Sequence, residues 1–278
     1  MNTPVYLSTG AFIGRVNNRN WHLPMEYADR LACDGFEFMI FPSFVEILPE
    51  IVREYKAAGL YIPVVHAEKH LGDLVSDQSD AAMREAEETV RRDCDAAAQL
   101  FPHGRPKVVA HCWGIPDSDG YFERTAERIG RLWEIADSCG AELLPENSFC
   151  RYGSPKAHFE ALAEQYPKLH FIVDTRCAAF HSELYRFIAS DVFRDRVVHI
   201  HINDYAGAYK DWNAMYPIPQ PLKGKIDWTR FFGGLHAIPY AHSITLEAPS
   251  MLPEGVDFPT LNSSLEFIRS HTASNSPA

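Results

Sequence analysis

Six short apolar runs each end in a residue able to bind a metal, and no other feature of the chain constrains the fold as much. Ala141-Glu-Leu-Leu-Pro runs into Glu146, followed by Asn147 and Ser148. Tyr61-Ile-Pro-Val-Val ends in His66, and Lys107-Val-Val-Ala ends in His111. Leu169-His-Phe-Ile-Val ends in Asp174, Val197-Val-His-Ile in His201, and Ser243-Ile-Thr-Leu in Glu247. A carboxylate closing an apolar strand is costly to bury unless a cation, a partner or a reaction compensates it. One such ending is weak evidence, but six in chain order point to a shared site.

The spacings between them are 45, 35, 28, 27 and 46 residues, each about one strand–helix unit or one unit with a longer loop. Strands are expected over 5–10, 36–40, 61–65, 107–110, 141–146, 170–173, 197–202 and 244–246. Helices are expected over 24–32, 43–58, 77–100, 118–138, 154–165, 178–189, 227–232 and 258–270. Ser118 and Ser154 are read as N-caps, Pro155 as a first-turn proline and Gly59 as a helix stop. Short apolar strands alternating with helices predict a parallel sheet buried on both faces. Eight such units predict an α/β fold of the (β/α)8 TIM-barrel type, with its active site at the C-terminal strand ends. Residues 1–271 are read as one barrel domain and 272–278 as a disordered tail. The long segment 204–240 before the last strand is read as a candidate lid.

A chain of 278 residues with 46% hydrophobic content is long enough for such a core. Its formal net charge of −11 argues against a partner that presents a phosphate backbone. No apolar run reaches the roughly 18 residues of a membrane helix, and the first residues lack a signal-peptide pattern. The six cysteines form no Cys-x-x-Cys pair, which predicts reduced thiols in a cytoplasmic protein.

Two Glu, one Asp and up to three His make a mixed nitrogen and oxygen donor set without thiolate. It suits one divalent ion, Mn2+ or Zn2+ first, then Co2+ or Fe2+, with Mg2+ a poorer match to imidazole. Such an ion can hold two oxygens of a hydroxycarbonyl substrate and stabilise an enediolate. Glu146 and Glu247, across the mouth from each other, can then act as acid and base.

The ordered set resembles the xylose isomerase-like TIM-barrel superfamily, which holds sugar and sugar phosphate isomerases and epimerases and the endonuclease-four-type AP endonucleases. The motifs are Val-Val-His66-Ala-Glu-Lys, Val-Ala-His111-Cys-Trp-Gly, Pro-Glu146-Asn-Ser, Val-Asp174-Thr-Arg, His-Ile-His201-Ile-Asn-Asp and Thr-Leu-Glu247-Ala. The resemblance implies that Glu146, Asp174, His201 and Glu247 bind one divalent metal and that the two glutamates move the proton. It implies that His66 and His111 contact a carbohydrate substrate, although their counterparts in the nuclease branch bind metal.

Two departures narrow this. The family's usual Asp-x-x-His reads Asp174-Thr-Arg-Cys177 here, which removes a substrate contact that Arg176 or His181 could replace. The nuclease branch's Asp-x-His after strand seven has no counterpart in residues 215–224, so a three-metal site lacks ligands.

Other candidates carry two readings each. His66 and His111 could be hydrogen-bonded core histidines, and Glu146, Asp174, His201 and Glu247 an ion network at the mouth. Lys69 and Arg176 could hold a carboxylate or phosphate of the substrate. Trp113 could stack on a sugar or simply pack. Asn147, Asp204 and His199 are read as groups that orient ligands from behind. The resulting expectation is a metal-dependent isomerase or epimerase of a small sugar, sugar phosphate or related polyol ketone. A lyase, dehydratase or hydrolase (phosphoesterases included) on the same metal is the alternative, and a non-catalytic sugar-binding barrel is an alternative of another class. No nucleic acid or membrane partner is expected, and the sequence leaves homo-oligomerisation open.

Overall fold

The computed structural model describes residues 3–272 apart from Pro116 and Pro239. Eight parallel strands close into a barrel in sequence order. They are β1 (Val5–Ser8), β2 (Phe36–Met39), β3 (Val64–His66), β4 (Lys107–His111), β5 (Glu142–Glu146), β6 (Phe171–Asp174), β7 (Val197–Ile202) and β8 (Ser243–Leu246). The β1–β8 ladder pairs Val5 with Ile244 and Leu7 with Leu246, which closes the ring. The helices are α1 (Leu23–Tyr27), α2 (Leu48–Ala57), α3 (His70–Ser76), α4 (Asp80–Leu100), α5 (Phe122–Ser138) and α6 (Pro155–Gln165). They continue as α7 (Thr175–Phe180), α8 (Leu184–Ile188), α9 (Asp191–Arg196), α10 (Trp228–Ala237) and α11 (Phe258–Thr272).

Side chains alternate along each strand between the helix layer and the barrel interior. The outward set, with residues such as Phe38, Val65, Val108, Leu143 and Val173, joins the large core under the helices. The inward set includes Tyr6, Val64, Val109, Leu144 and Ile172 of a separate apolar cluster, which Val198 joins at the register shift between β6 and β7. Two residues further along β3, β4, β5 and β6, the same parity places His66, His111, Glu146 and Asp174. The apolar cluster is therefore a floor, and the six strand-end residues stand above it at the mouth.

Several elements differ from expectation. The β3 ladder begins at Val64 because Pro63 has no N–H to offer. The region 178–189 is not one helix: α7 starts at Thr175, with the Asp174 carboxylate accepting from Cys177 N at 2.6 Å, and Ser182 at φ 55° separates α7 from α8. Helix α5 starts at Phe122 rather than 118, because Ser118 sits at φ 50° and its hydroxyl donates to Asp119 and Phe149 O. Helix α3 was not expected. It lies hard against the end of β4, where a Cβ added at Gly72 would sit 2.9 Å from His111 Cβ and 3.0 Å from the Trp113 backbone. Thr272, expected in a disordered tail, closes α11 instead, and residues 273–278 lie outside the described residues.

Candidate active site

The strand-end residues converge. Ligand-capable atoms of Glu146, Asp174, His201 and Glu247 all lie within 4.8 Å of one another. Glu146 Oε1 meets His201 Nδ1 at 2.8 Å, and Glu247 Oε2 lies 3.7 Å from the same nitrogen. The other Glu146 oxygen faces His66 Nε2 at 3.3 Å and His111 Nε2 at 3.1 Å. Glu146, Asp174, His66 and His201 are buried, Glu247 partly so.

Electrostatics separate the acids. Burial alone would raise the Glu146 carboxyl, but His201 and His111 beside it hold it well below the usual carboxylate range. Glu247 is likewise lowered against its burial by Lys69 and His201. Asp174 is pushed up by burial and by the neighbouring Glu146 charge, despite Arg176. His201 rises well above the usual imidazole range because Glu37, Glu146 and Glu247 outweigh its burial. Excess negative charge in a desolvated space is what a divalent cation would neutralise.

The donor set fits such an ion on a second observation. His66 Nδ1 lies 2.7 Å from Ala67 O, so it carries the proton and Nε2 presents a lone pair. That lone pair faces Glu146 Oε2, and neither buried atom has a hydrogen-bond partner among the described residues. Three carboxylates and an imidazole nitrogen are the ligands of borderline and hard divalent ions.

Asn147 and Asn203 brace the acids of this cluster. Asn147 Oδ1 accepts from Asp174 N at 2.6 Å and its Nδ2 donates to Asp174 O at 3.1 Å. Asn203 Nδ2 donates to Asp174 Oδ2 at 2.5 Å and to Glu247 Oε2 at 2.8 Å. The expected bracing role of Asp204 is corrected. Its carboxylate points away from the mouth and accepts from Tyr205 N, Ile226 N and Trp228 Nε1. Parity explains the exchange, because residues 199, 201 and 203 share the interior face and Asp204 falls on the other.

The pocket above these residues encloses about 340 Å3, at the small end of the range for small-molecule sites (~300–1,000 Å3). Lys69 reaches it with Nζ 3.8 Å from Glu247 Oε1. Arg176 forms part of its wall, with Nη1 donating to Met215 O at 2.7 Å and its guanidinium between the Phe149 and Tyr216 rings. Trp113 lines it too, but is 1% exposed and donates Nε1–H to Phe149 O at 3.0 Å, so its ring packs as wall. Cys177, where the resemblance calls for His, is a buried neutral thiol, pushed well up by burial and Asp174. His181 does not line the pocket. Its Nε2 accepts from Cys150 N at 2.9 Å. The long segment after β7 contributes Met215 and Tyr216 to the wall.

Sequence reasoning missed Glu37 and Asn203. Glu37 lies inside the barrel at 0% exposure, and both His199 and His201 turn their Nε2 atoms to it. The signal was present: an acid between Phe36 and Phe38 in an apolar strand is as costly to bury as one at a strand end.

Fold and site together define a (β/α)8 barrel with a cluster of acids and imidazoles at its C-terminal mouth. The model of the xylose isomerase-like TIM barrel family matches residues 25–271, and the chain belongs to that family. The fold is similar to that of 3-keto-D-glucoside 4-epimerase from E. coli (TM-score 0.70, 18% identity, 96% of this chain and 99% of that one). It is similar to D-allulose 3-epimerase from Methylomonas sp., solved in complex with D-allulose (TM-score 0.71, 15% identity, 97% of each chain). A xylose isomerase domain protein from Alicyclobacillus acidocaldarius is also similar (TM-score 0.69, 18% identity, 98% of each chain). No curated protein sequence matches the chain. Among the described residues no helix is long and apolar enough to cross a membrane.

Proposed function

We propose that this chain is a divalent-metal-dependent isomerase or epimerase of a small keto sugar, its phosphate or a related polyol ketone. The observation that carries the reading is the convergence of Glu146, Asp174, His201 and Glu247 from four consecutive strands into one cluster, whose three acids line one small pocket. The similarity of the fold to two sugar epimerases supports it.

Glu146, Asp174, His201 and Glu247 would hold one ion, Mn2+ or Zn2+ by the chemistry of the donors. When bound, the ion supplies positive charge against the oxygens of a hydroxy ketone and so acidifies the intervening C–H bond. The protein's own groups do the rest. One of the two glutamates takes the carbon-bound proton, and the other returns a proton to the opposite face for epimerisation or to the adjacent carbon for isomerisation. One proton leaves and one arrives, so the product is an isomer. Lys69 holds Glu247 as a carboxylate able to act as base. His111 faces the substrate space beside Glu146, whereas His66 is fully buried outside the pocket lining and meets Glu146 Oε2 instead. Arg176 and Lys69 offer hydrogen-bond donors to substrate oxygens where the family's usual histidine is replaced by Cys177.

The test is turnover of ketoses, aldoses, their phosphates and cyclic inosose-type ketones in D2O. Deuterium is expected at the carbon next to the carbonyl, with loss of at least 100-fold in rate in Glu247→Gln, roughly the general acid–base contribution. Binding without exchange, unchanged by Glu247→Gln, would make the chain a sugar-binding barrel. A change in product mass would make it a lyase or hydrolase. The hydrolase reading has one observation of its own, since His66, His111 and Glu146 form a second donor cluster. Elemental analysis decides it: one metal per chain supports the isomerase, and two favour a phosphoesterase.

A further inference from the structure

Beneath the metal-capable cluster runs a hydrogen-bonded chain that the reaction does not use directly. Glu37 accepts from His201 Nε2 at 2.8 Å (Oε1) and 3.0 Å (Oε2), and from His199 Nε2 at 3.0 Å. His199 Nδ1 lies 2.7 Å from Ser243 Oγ. Ser243 Oγ in turn accepts from Lys107 Nζ at 3.0 Å, and Lys107 also donates to Val198 O at 2.8 Å. Glu37, His199 and His201 are each 0% exposed. The chain thus joins a lysine on β4, near the barrel floor, to an imidazole at the mouth, through strands β8, β7 and β2.

Donor chemistry gives this chain a direction. An ammonium can only donate, so Ser243 accepts from Lys107 and has its own proton to give to His199 Nδ1. His199 then carries its proton on Nε2 and gives it to Glu37. An ionised carboxylate only accepts, so His201 Nε2 must also carry a proton. That leaves His201 Nδ1 as the nitrogen facing Glu146 Oε1 at 2.8 Å and Glu247 Oε2 at 3.7 Å. A buried carboxylate with one histidine donor would be poorly compensated; Glu37 has two, and no exit to solvent.

We propose that Glu37 is the positioning residue of the metal centre. It locks His201 with Nε2–H pointing into the barrel and Nδ1 pointing at Glu146, Asp174 and Glu247, while His199, Ser243 and Lys107 hold Glu37 in place. The arrangement is a carboxylate–histidine–metal relay, in which the outer carboxylate sets ring orientation and ligand basicity. The proposal rests on the metal reading above.

The test uses the full chain and Zn2+ as probe. Zn2+ affinity is measured by chelator competition for the wild type, Glu37→Gln and Ser243→Ala. Nitrogen-15 NMR of the Zn2+-loaded wild type reads which His201 nitrogen keeps its proton, which a purely structural role for Glu37 does not dictate. Zn2+ binding is expected to weaken about 10- to 100-fold in Glu37→Gln and less in Ser243→Ala. His201 is expected to bind through Nδ1, with a slowly exchanging Nε2 proton. Zinc affinity in a folded Glu37→Gln within about twofold of the wild type would overturn the proposal, as would binding of His201 through Nε2. If Glu37→Gln does not fold, the wild-type NMR assignment decides alone. A wild type that binds neither Zn2+ nor Mn2+ would overturn the metal reading itself, a failure visible in the first arm and distinct from failure of the Glu37 inference.

Discussion

His181 shows how one side chain can carry chemistry in sequence and structure in the fold. Its place after Asp174 offered it as a substitute for a missing substrate histidine, yet it is 3% exposed and its Nε2 caps Cys150 N in the loop after β5. Burial, with Lys210 nearby, lowers it to about 4 from 6.5. The folded chain therefore binds fewer protons there than the unfolded chain between those values. The stability it contributes is complete above pH 6.5 and is lost as pH falls through about 4. Over that window the loss is on the order of 3 kcal/mol. His181→Gln keeps an acceptor and removes the titration. Urea unfolding at pH 7 and pH 4.5 should show a loss smaller by about 2 kcal/mol in the variant than in the wild type; equal losses would show that His181 is not held neutral. Asn203 and Asp204 make the complementary case. Asp204→Ala leaves the indole N–H of Trp228 and the amide of Ile226 without partners, and should cost about 1–3 kcal/mol of stability with metal affinity unchanged. Asn203→Ala releases the Asp174 and Glu247 carboxylates and should weaken metal binding instead. A swap of these two phenotypes would refute the parity argument.

At the scale of elements, the strand-end positions were readable because alternation and strand termination are local. Four of the six runs end where their strands end, while His201 falls one residue before the end of β7 and Glu247 one residue beyond β8. Helix starts were less readable. Ser118 has the composition of an N-cap, but a hydroxyl engaged with Asp119 and Phe149 O cannot cap, and α5 begins four residues later. Helix α3 depends on Gly72 passing within van der Waals contact of His111 and the Trp113 backbone, a demand no local pattern announces. Asp174 ends β6 and also caps α7, so the orientation of its carboxylate and the helix start are one event. That coupling explains why the expected helix at 178 begins earlier.

At the scale of the molecule, the barrel turns six separate endings into one charge cluster. Three carboxylates in a desolvated mouth repel one another, so an ion that binds the folded chain should stabilise it strongly. Zn2+ or Mn2+ at about 100 times its dissociation constant should add about 2.7 kcal/mol. That corresponds to a rise of roughly 5 °C or more in the unfolding temperature, reversed by chelator. One cooperative transition is expected, as for a chain whose strands all share a single closed sheet. Two resolved transitions, only one of them metal-sensitive, would contradict a single barrel domain.

Local patterning was enough to specify the eight-strand alternation, the barrel, and the six mouth residues, because hydrophobic period and strand ends are set by neighbours in the chain. The partners of those residues were not legible. Glu37 reaches His199 and His201 from more than 160 positions away, and Lys107 reaches Ser243 across 136. Which nitrogen of His201 faces the acids, which asparagine braces them, and whether Arg176 or His181 lines the pocket depend on through-space contacts inside a closed barrel. Closure alone brings those groups together, since the strands that carry them are hydrogen-bonded neighbours or face one another only once the ring is complete.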